Sequence, residues 1–327
     1  MTHAMNRRIA RRPLVLGAAG AALAAPFSRI PSPASAAGGE LRVGWQKGSA
    51  TLIYVKTEGL LEEKVKPLGY TVSWFEFPAG PPLLEALNAG SLDVGTTGAP
   101  PPIFAQAAGT DLVYVLATAA APTGQGILVP KDSAIQSPAD LKGKKIGVTK
   151  GSSAHGLLVF ALRAGGVDYA DVEPVFLAPA DAKAAFEGGS LDAWSIWDPY
   201  LAAEEKTTGA RILVTDGDVG NKNRSFYEAS RAFATEHVDA LKAFAEVLTE
   251  AEGWVDTHPD EVAQAVAAET GLPFEITRAV EERAVYGIGP ITPEIIAEQQ
   301  QLADAFFELQ LIPEKIDVSK AAFVLPA

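Results

Sequence analysis

The sequence predicts an α/β protein of two lobes, each a mostly parallel sheet covered by helices, with a hinge crossed twice. Three observations carry this. Short apolar, β-branched runs alternate with helical runs of about ten residues, the pattern of strands joined through helices. The tetrapeptide GSLD stands at 90–93 and again at 189–192, an offset of 99. KGSA at 47–50 is echoed by KGSS at 150–153, an offset of 103. Two signals recurring in the same order at nearly the same spacing indicate two similarly built halves.

In the first lobe LRVGW, YTVSWFEF, LDVGTT and DLVYVLATA read as strands, with TLIYVKTEGLLEEK, PPLLEALNAG and PPIFAQAAG as the helices between them. In the second, QGILVP, KKIGVT, VEPVFL and LDAWSI alternate with HGLLVFALRAGG, DAKAAFEGG and DPYLAAEE. Gly90 and Gly189 fall where a helix ends on a left-handed residue. RILVTDGDVG reads as a return strand. Beyond it lie three amphipathic helices, in ATEHVDALKAFAEVLTEAEGWVDT, DEVAQAVAAET and PEIIAEQQQLADAFFELQ, which are expected to pack back on the first lobe. The crossings fall near 122–127 and 214–222. Lobe one is thus 38–124 plus 220–327, with the C-terminal helices, and lobe two is 125–219.

Residues 1–36 read as an export signal. RRIARRPLVLGAAGAALAAP places arginines before an apolar run too short to span a membrane, and Ala34-Ser35-Ala36 fits a small-x-small cleavage site. Arg7-Arg8 and Arg11-Arg12 leave a twin-arginine route and the general route both open. Cleavage would remove five basic residues and no acidic one, leaving 22 against 40, net −18. That surface argues against nucleic acid and anionic membranes. A small anion responds more to local donors than to distant screened charge. There is no cysteine, which excludes disulfides, thiol nucleophiles, thiolate metal sites and a lipid anchor on cysteine. His3, His155, His237 and His258 show no zinc spacing.

In parallel α/β sheets, ligands sit beyond the carboxyl ends of the strands, at the following helix N-termini. Four such junctions stand out: WQKGSA, TTGAPPP, TKGSSAHG and IWDPY. Facing lobes would bring them to one cleft. KGSSAH is the best anion cradle. Gly151 admits close backbone approach, Ser152 and Ser153 offer hydroxyls and N–H groups, and the helix start adds partial positive charge. The competing reading is an ordinary serine cap. Lys150 is near the cradle or simply solvated, and His155 is a ligand donor or a structural histidine.

In TTGAPPP, with Ala99 as the helix cap, Pro100, Pro101 and Pro102 remove three N–H donors. Lobe one must then offer Thr96, Thr97 and the amides of Gly98 and Ala99, and Gln46 could add a side-chain amide. Asp198 reads as a cap before Pro199 at the first helical position, structural or at the rim. Trp194 and Trp197 can wall the cleft, although core packing is the alternative for Trp194. The expected ligand-binding set is Gln46, Ser49, Thr97, Gly98, Ala99, Gly151, Ser152, Ser153, His155, Trp197 and Asp198. These are mostly neutral donors. No catalytic group, metal site or cofactor motif is discerned.

The chain also resembles a known family. LRVGWQKGSATLIYVK, EFPAGPPLLEALNAGSLDVGTTG, PPIFAQAAGTDLVYV, ILVPKDS, DLKGKKIGVTKGSSAH, AFEGGSLDAWSIWDPYLAA, FYEASRAFA and YGIGPITPEIIAEQQQLADAFFELQLIP are similar to the periplasmic substrate-binding proteins of aliphatic sulfonate ABC transporters, over nearly all of 40–327. The resemblance implies a type II periplasmic binding fold closing on a sulfonate, a monomer, no cofactor, and a membrane permease and ATPase as partners. One departure is TGAPPP, where the family carries an acidic residue before APP and this chain has Ala99. That leaves taurine, nitrate or a sulfate ester open as ligands. The rivals of another class are a desulfinase-like enzyme on the same fold and a sensor module.

Overall fold

β1 (Glu40–Trp45) leads into α1 (Ala50–Thr57), α2 (Leu60–Val65), β2 (Thr71–Glu76), α3 (Gly80–Asn88), β3 (Val94–Gly98), α4 (Pro100–Ala107) and β4 (Leu112–Thr118). A second run holds β5 (Gln125–Val129), β6 (Lys145–Val148), α5 (Ser153–Ala164), β7 (Glu173–Phe176), α6 (Pro179–Glu187), β8 (Ala193–Trp197), α7 (Tyr200–Thr208) and β9 (Arg211–Thr215). The chain then returns through β10 (Ser225–Ser230), α8 (Arg231–Glu236), α9 (Val238–Val255), α10 (Pro259–Thr270), α11 (Phe274–Glu281), β11 (Ile288–Pro290) and α12 (Pro293–Glu308). This is a computed structural model describing residues 38–326, so the expected export segment lies outside the described residues.

Two sheets result. The first has the order β11-β4-β10-β3-β1-β2 and the second β7-β6-β8-β5-β9. Both are mixed. β10 runs antiparallel between β3 and β4, and β5 runs antiparallel between β8 and β9. These reversed strands are the first that the chain forms after each crossing, through 119–124 and 216–224. The remaining neighbours pair in parallel, except β11 against β4.

Helices cover both faces of each sheet, as strands apolar on both faces require. α1, α2 and α9 pack on Leu41, Val43 and Val115 of the first sheet, while α3, α4 and α12 pack on its other face around Tyr114. α9 buries Leu241, Phe244, Leu248 and Val255 at helical spacing. In the second sheet α5 covers Ile146 and Val148, and α6 and α7 enclose Trp194, which is fully buried in the core.

Two local expectations need correction. The run TLIYVKTEGLLEEK is two helices, because Gly59 takes φ +67 and turns the chain between them. The segment SFYEAS forms β10, and FEITRAVE forms α11; neither was expected as an element. The three expected C-terminal helices, α9, α10 and α12, do pack on lobe one. α11 buries Ile276 and Ala279 against Ala202 of α7, and Phe306 of α12 shares a cluster with Val159 of α5.

Candidate functional site

Between the sheets lies a cavity of about 220 Å³ to which all four junctions contribute. Gln46, Gly48 and Ser49 come from the loop after β1, Thr96, Thr97 and Gly98 from the end of β3, Ser152 and Ser153 from the start of α5, and Trp197 and Asp198 from the end of β8. Each lies at or just beyond a strand's carboxyl end, where the first N–H groups of the following helix lack intrahelical acceptors. The lobes meet closely there. A Cβ built on Gly98 would lie 2.8 Å from the Ser153 Cβ, and one on Gly48 would lie 2.8 Å from the Asp198 carbonyl oxygen.

The local bonding separates free donors from committed ones. Ser152 is fully buried and caps α5. Its Oγ donates to the Thr149 carbonyl at 2.7 Å and accepts the His155 N–H at 3.4 Å. Ser153 is the first helical residue, so its N–H has no intrahelical acceptor, and its side chain lines the cavity. Gln125 Nε2 donates to the Ser153 carbonyl at 3.2 Å and steadies the turn. Gln46 uses its amide on the protein, donating to the Thr96 carbonyl at 2.9 Å, and Ser49 Oγ accepts the Gln46 N–H at 3.2 Å. Thr97 donates to Glu228 Oε1 at 2.6 Å; burial pushes the Glu228 carboxyl well above the usual range.

Three expected site residues lie off the cavity lining. Gly151 has φ +73 and its Cβ position faces the Phe104 ring at 3.3 Å, so the glycine admits the other lobe's aromatic ring rather than a ligand. His155 is fully buried among Phe104, Phe176, Phe306 and Tyr169. Its Nδ1 accepts the Gly151 N–H at 3.2 Å, so Nε2 carries the proton and faces the Tyr169 hydroxyl at 2.7 Å. Burial, with Lys150 nearby, lowers the imidazole to about 4, and it stays neutral near pH 7. Ala99 is the cap of α4 as expected, but its carbonyl accepts from Gln299 Nε2.

Asp198 lies one position farther from α7 than expected: the helix starts at Tyr200 with Pro199 as its cap. Asp198 Oδ1 still reaches the Ala202 N–H at 3.0 Å, and Oδ2 lies 3.4 Å from Arg283 Nε. Burial raises its carboxyl to about 7 against the opposing pull of Arg283. Arg283 also pairs with Glu205 of α7 at 2.6 Å, so the segment after α11 is tied to lobe two.

The sequence reading missed Thr51, Ser225, Tyr227, Glu252, Glu281, Arg283 and Tyr286, which also line the cavity. Ser225 and Tyr227 sit two apart on β10 and share a face, a period-two signal legible once SFYEAS is taken as a strand. Glu281, Arg283 and Tyr286 belong to α11 and its exit, where no strand-to-helix junction points to them.

Two α/β lobes, crossed twice by the chain and offering the N-terminal turns of facing helices to one cavity between them, define a two-lobe solute-binding protein. The comparisons with known proteins narrow the class. A family model described as NMT1/THI5 like matches residues 77–262. The chain is 43% identical over 279 residues to a putative aliphatic sulfonates-binding protein of Escherichia coli (strain K12), covering 85% of this chain and 86% of the relative. It superposes with a TM-score of 0.83 and 38% identity on the alkanesulfonate-binding protein of Xanthomonas axonopodis pv. citri bound to MOPS, covering 87% of this chain and 98% of that one. The desulfurization enzyme DSZB, at 19% identity and a TM-score of 0.63, covering 87% of this chain and 96% of that one, shares the fold alone. The chain belongs to the NMT1/THI5-like family, in its aliphatic sulfonate-binding branch.

Proposed function

We propose that this chain captures an aliphatic sulfonate in the interlobe cavity, in the periplasm, and delivers it to the permease and ATPase of an ABC importer. The carrying observation is the approach of Gly98 to Ser153 across the cavity, which places neutral donors of both lobes around one small volume. A sulfonate keeps its charge at any pH the cell meets and offers three acceptor oxygens. Hydrogen bonds to such a charged group contribute about 1.5–3 kcal/mol each, so a few neutral donors suffice without a buried cation. The volume lies below the roughly 300–1,000 Å³ of drug-sized sites, which suits a small solute. The names of the relatives support the ligand class. Closure of the lobes on a ligand is the hinge motion by which such a protein would signal its loaded state to a permease.

An enzyme on this fold is the second reading, favoured by the shared fold of the desulfurization enzyme alone. The sequence has no cysteine to serve as a thiolate nucleophile. His155, the histidine nearest the cradle, is occupied by Gly151 and Tyr169.

A thermal-shift panel tests the function, because a ligand that binds the folded state alone raises its melting point by mass action. Short alkanesulfonates should raise it, with sulfate and nitrate giving smaller shifts. No shift with any sulfonate, or a larger shift with nitrate, would overturn the assignment.

A further inference from the structure

The two crossings between the lobes hold a buried polar pair that does not line the cavity. Gln125 opens β5 at the end of the first crossing, and Asp216 begins the second. Both are fully buried. The Gly217 N–H donates to the Pro122 carbonyl at 3.0 Å, so the crossings are tied together at this point. Gln125 lies close enough to the Asp216 carboxyl to act on it as a hydrogen-bond partner. Its Nε2 is given to the Ser153 carbonyl at 3.2 Å, and Asp216 Oδ1 accepts from Asn221 Nδ2. That leaves Gln125 Oε1 and Asp216 Oδ2, each buried and each without a partner among the described residues.

Two acceptors cannot satisfy one another, but a proton on the carboxyl turns one of them into a donor. The surroundings favour that proton. A buried carboxylate is costly unless paired, and no charged side chain among the described residues pairs with this one. Burial raises its carboxyl to about 7. On the same turn Asp218 Oδ2 accepts the Thr215 N–H and hydroxyl, both at 2.8 Å. On α5, which packs against the turn, Arg163 pairs with Glu308 at 3.3 Å and His155 is neutral near pH 7. On β9, Arg211 donates to the carbonyls of Lys131, Ser133 and Ile135.

We propose that Asp216 is a positioning residue for the sulfonate cradle: its Oδ2 keeps a proton, donates it to Gln125 Oε1, and so fixes the amide that holds the Ser153 carbonyl. The chain runs from the second crossing through the first to the residue whose hydroxyl and N–H face the ligand. With the proton in place the first turn of α5 is held before the ligand arrives, and less ordering remains to be done on binding. Once the proton is lost, Gln125 Oε1 has no donor, and the turn is held less firmly. The proposal rests on the sulfonate reading above and deepens it.

Calorimetric titration with ethanesulfonate at pH 6 and pH 8.5 tests it, because the sulfonate itself does not titrate in that range. A ligand that favours the protonated form binds less tightly as pH rises, so wild-type affinity should fall over the interval. Asp198, Glu252 and Glu281 line the cavity, and burial raises their carboxyls too, so the decisive comparison is with Asp216→Asn. Asparagine can accept from Asn221 and donate to Gln125 at any pH. The variant should match wild type at pH 6 and bind about fivefold or more tighter than wild type at pH 8.5. Gln125→Met, which has no amide to give Ser153, should bind more weakly than wild type at pH 6 and show the shallower profile of Asp216→Asn. Equal profiles in wild type and Asp216→Asn, or a wild-type affinity that does not fall between the two pH values, overturn the proposal and leave the sulfonate reading standing. Failure of ethanesulfonate to bind at either pH sinks both. Should Asp216→Asn not fold, Gln125→Met carries the comparison, and a profile as steep as wild type is then the overturning result.

Discussion

Gly98 at the end of β3 approaches Ser153 at the start of α5 so closely that a Cβ at position 98 would stand 2.8 Å from the Ser153 Cβ. Real Cβ atoms do not come that near, so the lobes would have to part. Gly98→Ala should therefore weaken sulfonate binding at least tenfold and leave the liganded protein with a larger radius of gyration in X-ray scattering. Unchanged affinity would show that this approach is not part of closure.

The paired serines of the cradle should separate stability from binding. Ser152 spends its hydroxyl on Thr149 and His155, and loss of such a cap costs about 1 kcal/mol of stability. Ser153 lines the cavity, and a charge-assisted bond lost there costs about 1.5–3 kcal/mol of binding. Ser152→Ala should lower the urea midpoint with a small effect on affinity. Ser153→Ala should do the reverse, weakening binding by about tenfold to a hundredfold. The opposite pattern in calorimetry and denaturation would reassign the two roles.

Thr97 holds the buried Glu228 at 2.6 Å, while Glu228 Oε2 has no partner among the described residues. Thr97→Val keeps the shape and removes the donor, so it should destabilise by about 1–3 kcal/mol, the cost of an unsatisfied buried group. Adding Glu228→Gln to Thr97→Val should recover part of the loss. A single variant as stable as wild type in urea would mean that Glu228 needs no donor.

Asp216, in the second crossing, accepts from Asn221 Nδ2, and burial raises its carboxyl from 3.8 to about 7. Between those values the folded chain holds a proton that the unfolded chain has released. Its contribution to stability therefore falls as pH rises through the window. His155 acts in the opposite sense: its imidazole is lowered from 6.5 to about 4, so its contribution rises with pH over that range. Asp216→Asn removes only the first effect. Urea midpoints at pH 4.5 and 7.5 should decline more steeply, or rise less, in wild type than in the variant; equal slopes would show that Asp216 is not held protonated.

Much of this architecture was legible because it rests on local chemistry. The repeated GSLD marks two helix ends, and Gly90 and Gly189 indeed take φ +71 and +72 there. Ala99 caps α4, and the four strand-to-helix junctions converge because parallel strands present their carboxyl ends together. What escaped the sequence depends on pairing across long separations. β10 lies between β3 and β4, more than a hundred residues from either, and α11 is placed by its contact with α7. Gly151 and His155 looked like ligand contacts because their motif is a good cradle. That the Phe104 ring of the opposite lobe fills this side of the turn is not encoded near position 151.

The most direct measurement is a crystal structure with a short alkanesulfonate bound. The account requires its oxygens within about 3.2 Å of the Ser153 hydroxyl and of main-chain N–H groups from both lobes, with the tail running into the space beside Trp197. A sulfonate ordered outside the interlobe cavity, or one bonded within it to a single lobe, would contradict it.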